Sequence, residues 1–193
     1  MTQPGSEGPF APPPPARGGL AKWLLILVGG LGCFALVILG IMEAQRARLA
    51  PDGTKPPAFQ LQRYAGGTVT LEELKGNVVM LDFWATWCPP CREEMPSLVK
   101  LAKEYESQGL VFLAANRDDP DSAPGEVRAF VNRHQPDLAP YIVYAPDEMA
   151  MAFQVSALPT LYFLDRDGKV VDAQRGMLSE AALRRRIERA LNP

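Results

Sequence analysis

Residues 82–91 read Asp-Phe-Trp-Ala-Thr-Trp-Cys-Pro-Pro-Cys. Immediately before them lies Val78-Val79-Met80-Leu81, an apolar run of strand composition. Immediately after come Arg92-Glu93-Glu94-Met95-Pro96-Ser97-Leu98-Val99, whose apolar residues recur at helical spacing. A buried strand that passes through Cys-x-x-Cys into a helix leaves few architectures open. It sets Cys88 at a helix N-terminus, where unpaired backbone N–H groups and the helix dipole favour a thiolate. Such settings lower a cysteine pKa from about 8.5 to roughly 3.5–7.5, and the thiolate is the reactive form. The pair reads as a dithiol built for thiol–disulfide exchange.

Three other uses of the pair fit less well. A zinc site takes four ligands, and the soft or imidazole donors here are Cys33, Cys88, Cys91 and His134, with Cys33 inside an apolar segment. Haem attachment requires Cys-x-x-Cys-His, and Arg92 stands at the histidine position. A purely structural disulfide across a two-residue loop would remove little chain entropy. No metal and no cofactor is expected.

The formal charge of −2 over 193 residues gives no reason to expect a nucleic-acid partner. Residues 1–22 carry a Pro12-Pro13-Pro14-Pro15 run and are expected to be a disordered, Pro/Gly-rich tail. Residues 23–42 follow without a charge, bounded by Lys22 and Glu43. Twenty such residues are about what a bilayer core requires of a helix. This stretch exceeds a secretory h-region and ends in Ile41-Met42-Glu43 rather than at small residues, so an uncleaved single-pass anchor is expected. Cys33 lies in that segment and is assigned no redox role. Arg17 and Lys22 before it nearly balance Arg46 and Arg48 after it, so flanking charge does not orient the helix. Cysteine chemistry suits an oxidising compartment. The expectation is therefore a short cytoplasmic tail and an extracytoplasmic (periplasmic) domain on the inner, cytoplasmic membrane.

Residues 43–55 read as a linker, and 56–193 have the length of one domain. Strands are expected near Phe59-Gln60-Leu61, at 68–71, at 78–84 and at 110–115, with helices over 93–107 and 126–133. Leu161-Tyr162-Phe163-Leu164 and Lys169-Val170-Val171 flank Asp165-Arg166-Asp167-Gly168, a hairpin with Asp-Gly in its turn. Ser179 is expected to cap a closing helix with Leu183, Ile187 and Leu191 on its inner stripe. Its arginines Arg184, Arg185, Arg186 and Arg189 read as a solvated face, Asp118-Asp119-Pro120-Asp121 as a solvated acidic loop, and His134 as a surface residue. Strand–helix–strand–helix followed by an antiparallel hairpin and a helix describes an α/β sheet covered on both faces.

Four pieces of the chain carry a family resemblance: Pro57-Ala58-Phe59-x-Leu61; Leu71-x-x-Leu74-x-Gly76; Phe83 to Cys91 with Glu94-Met95-Pro96; and Leu158-Pro159-Thr160 with Asp165-x-Asp167-Gly168. Through them residues 56–192 resemble the membrane-anchored thioredoxin-fold proteins typified by TlpA, ResA and DsbE/CcmG. The resemblance implies a thioredoxin fold, with a central mixed sheet flanked by helices and a family-type insertion at 116–148, preceded by one N-terminal transmembrane helix.

The same resemblance assigns roles. Cys88 would be the exposed nucleophile and Cys91 the more buried resolving thiol of a Cys88–Cys91 redox disulfide. Pro159 would be cis and pack on the pair. Trp84 and Trp87 would form its apolar collar, Trp84 reading equally as plain core, and Trp87, Pro89, Pro90 and Leu158 would meet the substrate. Asp82 stands where thioredoxins carry a buried aspartate, although many anchored relatives have asparagine there. Glu94 matches an acid of the ResA-type proteins. Either could serve Cys91 as proton acceptor, or be a core polar group and a solvated first-turn acid respectively. Pro89-Pro90 withholds two backbone donors from the thiolate, which favours a reductant.

Members of this family reduce apocytochromes c or copper-site cysteines, drawing electrons from a membrane reductase of the DsbD/CcdA type. Disulfide-bearing proteins and such a donor are the partners implied. Val155-Ser156-Ala157-Leu158-Pro159-Thr160 lacks the glutamate usual in the DsbE/CcmG turn. The alternatives on this fold are a thiol peroxidase, whose Pro-x-x-x-Thr/Ser-x-x-Cys turn is absent before Cys88, and a Cu(I) metallochaperone using both thiolates.

Overall fold

Val78–Trp84 (β3) is buried at every one of its seven residues, the mark of a central strand covered on both faces. In the computed structural model, which describes residues 19–46 and 53–192, it sits inside a seven-stranded mixed sheet. The other strands are Gln60–Arg63 (β1), Thr68–Thr70 (β2), Leu110–Asn116 (β4), Ile142–Tyr144 (β5), Thr160–Leu164 (β6) and Val170–Arg175 (β7). Their order is β2-β1-β5-β4-β3-β6-β7. β3, β4 and β5 run parallel, while β6 and β7 are antiparallel additions on one side and β1 and β2 on the other.

Strand side chains alternate between faces, and β3 shows both sides of that rule. Met80 and Trp84 join a cluster with Met95, Leu98, Phe130, Leu183 and Ile187. Val79, Leu81 and Phe83 join a second cluster with Leu61, Val69, Met149, Phe153 and Tyr162. Asp82 shares the parity of Met80 and Trp84 and so lies on the first face. Both clusters draw only on residues after Gly53, so this part of the chain carries a complete core of its own.

The helix after the cysteines, Pro89–Tyr105 (α2), covers the first face. It buries Cys91, Glu94, Met95, Leu98, Leu101, Ala102 and Tyr105, the i, i+3, i+4, i+7 spacing of one helical stripe. It starts four residues before the expected position because Pro89 and Pro90 occupy its first two positions, where a missing N–H costs nothing. The closing helix Glu180–Leu191 (α5) is capped as expected, Ser179 Oγ accepting from the Ala182 N–H at 3.4 Å, and buries Leu183, Ile187 and Leu191.

The helix expected over 126–133 is present within the insertion, and two departures from the sequence reading concern the arginine face and the linker. The insertion forms Ala123–His134 (α3), a 3₁₀ segment Pro136–Tyr141, β5, and Asp147–Ala152 (α4). The arginine face of α5 is paired rather than merely solvated: Arg184 bonds Glu104 and Tyr105, and Arg186 bonds Asp172 and Gln174. The linker is shorter than 43–55, because Gly53 and Thr54 already exchange backbone hydrogen bonds with Val170 of β7, at 2.7 and 2.9 Å.

The N-terminal unit is a 28-residue helix, Gly19–Arg46 (α1), so the expected tail ends by residue 18 and residues 43–46 are helical. Residues 1–18 and 47–52 lie outside the described residues. Within α1, Leu36, Val37, Ile38 and Leu39 are consecutive and all exposed, as is Cys33. Among the described residues no helix is long and apolar enough to cross a membrane.

Candidate active site

β3 and β4 are paired in register through Trp84 and Asn116, and Thr160 at the start of β6 pairs with Phe83. Three segments therefore converge at one end of the sheet: the loop after β3, the loop after β4 and the turn before β6. Cys88 is the N-cap of α2, and its Sγ accepts from the Cys91 N–H at 3.3 Å. Cys88 and Cys91 are joined as a disulfide, with an S–S distance of 1.99 Å. Leu158–Pro159 is a cis peptide bond. Its turn is closed by Thr160 Oγ1 donating to the Ala157 carbonyl at 2.6 Å, and the Pro159 carbonyl accepts from the Gly176 N–H at 2.8 Å.

A groove of about 480 Å³ opens over this junction, lined by Trp87, Cys88, Pro89, Pro90, Arg117 and the segment from Val155 to Leu158. The expected substrate-contacting residues Trp87, Pro89, Pro90 and Leu158 thus share one groove with Cys88. Cys91 and Pro159 are buried behind it. Two expectations need correction. Cys88 lines the groove but is only 3% exposed and belongs to the core cluster on this face of the sheet. The collar consists of Trp87 alone, 64% exposed, whereas Trp84 is fully buried against Phe130 at 5.3 Å.

The two candidate acids are both buried and interact with each other. Asp82 is 1% exposed and neither carboxyl oxygen has a hydrogen-bond partner among the described residues. It is therefore not a hydrogen-bonded core polar group. Burial pushes its pKa well above the usual carboxylate range, and the nearby Glu94 carboxylate raises it further. Glu94 is 4% exposed, so it is not a solvated first-turn acid either. Burial lifts its pKa to about 7, opposed by the Leu178 backbone N–H, which donates to Oε1 at 2.9 Å.

The loop carrying Cys88 is held by residues the sequence reading passed over. Asp118 is buried rather than part of a solvated acidic loop. It accepts from the Thr86 N–H at 3.1 and 3.2 Å, from Thr86 Oγ1 at 3.1 Å and from Asn116 Nδ2 at 2.8 Å. Arg117 donates its backbone N–H to the Trp84 carbonyl at 2.8 Å. The signal that could have found both is positional. In a parallel pair the residues just past the second strand lie beside the loop leaving the first, where open α/β sheets place their sites. His134 is exposed at the end of α3, as expected, its ring 5.5 Å from that of Phe130.

A dithiol at a helix N-terminus, backed by a cis proline turn at the ends of parallel strands, defines a thioredoxin-fold thiol–disulfide oxidoreductase. Comparison with known proteins agrees. The AhpC/TSA family model matches residues 53–173. The thioredoxin-like protein YneN of Bacillus subtilis (strain 168) is 32% identical over 179 residues, covering 88% of this chain and 98% of that protein. The thiol-disulfide oxidoreductase ResA of Bacillus thuringiensis (strain Al Hakam) is 34% identical over 149 residues, covering 77% and 82%. Among solved structures, a thiol:disulfide interchange protein DsbE from Chlorobium tepidum superposes with a TM-score of 0.66 at 31% identity, covering 74% of this chain and 99% of that one. The chain belongs to the AhpC/TSA family and, within it, to the ResA- and DsbE-type thiol–disulfide oxidoreductases.

Proposed function

We propose that this protein is a membrane-anchored reductant of partner-protein disulfides, its catalytic domain on the extracytoplasmic side. The observation that carries the direction of electron flow is the composition of the first turn of α2. Pro89 and Pro90 leave the Cys91 N–H as the donor on Cys88 Sγ, and buried Glu94 follows Cys91 by three residues on the same helix, with Asp82 near it. A thiolate given few donors and set near developing negative charge is weakly stabilised, which favours the oxidised protein and makes the dithiol a reductant. Reduced Cys88 attacks the partner disulfide. Cys91 then displaces the reduced partner, and its proton passes to Glu94 or Asp82.

The anchor is supported by the uncharged sequence 23–42 and by α1 itself. Four consecutive exposed apolar residues, 36–39, advance about 100° each and cover every side of the helix. Such a surface has no favourable place in water. Apocytochrome c or copper-site cysteines are the substrate classes proposed, and a DsbD/CcdA-type membrane reductase the donor.

The deciding measurement equilibrates the Cys88–Cys91 couple against dithiothreitol or glutathione. A potential near or below the roughly −270 mV of thioredoxin supports a reductant. One near the roughly −120 mV of DsbA reverses the direction. A C-terminal topology reporter active only in the cytoplasm would overturn the location.

A further inference from the structure

Among the described residues, Arg117 is the one charged residue lining the groove beside Cys88. We infer that Arg117 selects partner segments bearing an acidic side chain next to the disulfide cysteine. This rests on the proposed reduction of partner proteins and names the chemistry of the segment they present.

Arg117 is fixed at both ends. Its backbone N–H is tied to the Trp84 carbonyl, and its guanidinium Nη1 donates to the Ala145 carbonyl at 2.9 Å. Nη2 pairs with Asp147 Oδ1 at 2.7 Å. Those two bonds engage two of the five N–H donors of the fork. The guanidinium is half-buried, with 24% of its side chain exposed, while the Asp147 side chain is 77% exposed.

The rest of the groove lining is uncharged: Trp87, Cys88, Pro89, Pro90 and the segment from Val155 to Leu158. A partner segment laid along it removes water from Arg117. If that segment offers no acceptor, the cation loses solvation without return, and if it carries a lysine, like charges meet in a drying groove. A carboxylate matches the planar fork geometrically and electrostatically. Asp147 does not satisfy this requirement on its own, since its carboxylate is 77% exposed and a bond to so solvated a partner is weak and exchangeable. It does compete, and so it moderates the preference. Arg117 is thus a specificity-determining residue; the exchange chemistry stays with the two cysteines.

The test uses the full chain in detergent micelles, reduced beforehand and freed of reductant. It is mixed with peptides that each contain one disulfide and differ only in having Asp, Asn or Lys beside the attacked cysteine. In each turnover the protein dithiol becomes a disulfide and the peptide disulfide a dithiol, followed by tryptophan fluorescence. The expected ratio of Asp-peptide to Lys-peptide rate constants is about tenfold at low salt, shrinking as salt screens the pair. Arg117→Gln should bring the ratio close to unity and Arg117→Glu should invert it. Asp147→Asn, at an exposed position that burdens folding little, should raise the ratio by removing the competitor. A purely structural Arg117 would slow all three peptides together. Equal rates with the parent protein, or a ratio that Asp147→Asn leaves unmoved, overturn the inference while leaving the reductase reading intact. If none of the peptides is reduced, the reductase reading itself falls and takes this inference with it.

Discussion

Replacing Glu94 by glutamine should stabilise the oxidised domain, and by an amount that depends on pH. In the folded protein the Glu94 carboxyl has a pKa of about 7 against an ordinary 4.5. Each tenfold change in proton affinity is worth about 1.4 kcal/mol, so the fold loses about 3 kcal/mol once this group is ionised in both states. The sign follows from which state holds the proton. Below about pH 4 the carboxyl is protonated folded and unfolded alike, and nothing is lost. Between there and about pH 7 the unfolded chain gives up its proton first, so stability falls as pH rises; above pH 7 the full loss is present. Glutamine has no such term. Its amide oxygen keeps the bond from the Leu178 N–H, while its buried NH₂ adds a penalty independent of pH. Loss of the Glu94 charge also relieves Asp82, which adds in the same direction. The experiment is urea unfolding of residues 53–192 with the disulfide intact, parent and Glu94→Gln side by side, from about pH 4 to 8.5. The difference should grow by about 3 kcal/mol across that range. Parallel curves would refute the reasoning, since they would mean that Glu94 titrates normally in the folded protein.

Other substitutions test the frame around the site. Asp118→Ala strips the Thr86 N–H and hydroxyl and the Asn116 amide of their acceptor, and should lower the unfolding free energy by about 3 kcal/mol; a loss under about 1 kcal/mol would mean that water replaces the carboxylate freely. Leu98→Ala empties a fully buried position under β3 and should cost about 2–5 kcal/mol in the same assay. Ser179→Ala removes the α5 cap at a cost of about 1 kcal/mol, visible as a small fall in the urea midpoint.

Local pattern carried the sheet centre and the chemistry. Val78 to Trp84 is apolar at all positions but one, the two cysteines follow at once, and the stripe through Met95 and Leu98 repeats at helical spacing. Each of those signals lies within one element. What escaped was set by contacts between elements. Ile142–Tyr144 is three residues long and is a strand because β4 offers it an edge, Ala114 against Ile142. Arg184 finds Glu104 eighty residues away, so no local reading could separate it from Arg185. Asp118 sits in an acid run whose composition speaks for solvent, and only the register of Trp84 with Asn116 brings it under the Thr86 loop.

The two acids show why a fold keeps groups that weaken it. Asp82 occupies a position on β3 where neighbours of the same parity are Met80 and Trp84, and a leucine there would bury apolar surface instead of an unpartnered carboxyl. Glu94 lies on the stripe of α2 that otherwise holds Met95 and Leu98. Stability alone would favour replacing both. The proposed exchange supplies an opposing requirement: Cys91 is fully buried, so on that reading its thiol must give up a proton away from bulk solvent. A carboxyl whose pKa burial has raised, as at Glu94, has an affinity matched to accepting a proton near neutral pH. On the proposed reading, the same desolvation that makes Glu94 costly above pH 7 would suit it, or Asp82, to that transfer, and the bond from Leu178 ties the charge state of Glu94 to the segment between β7 and α5.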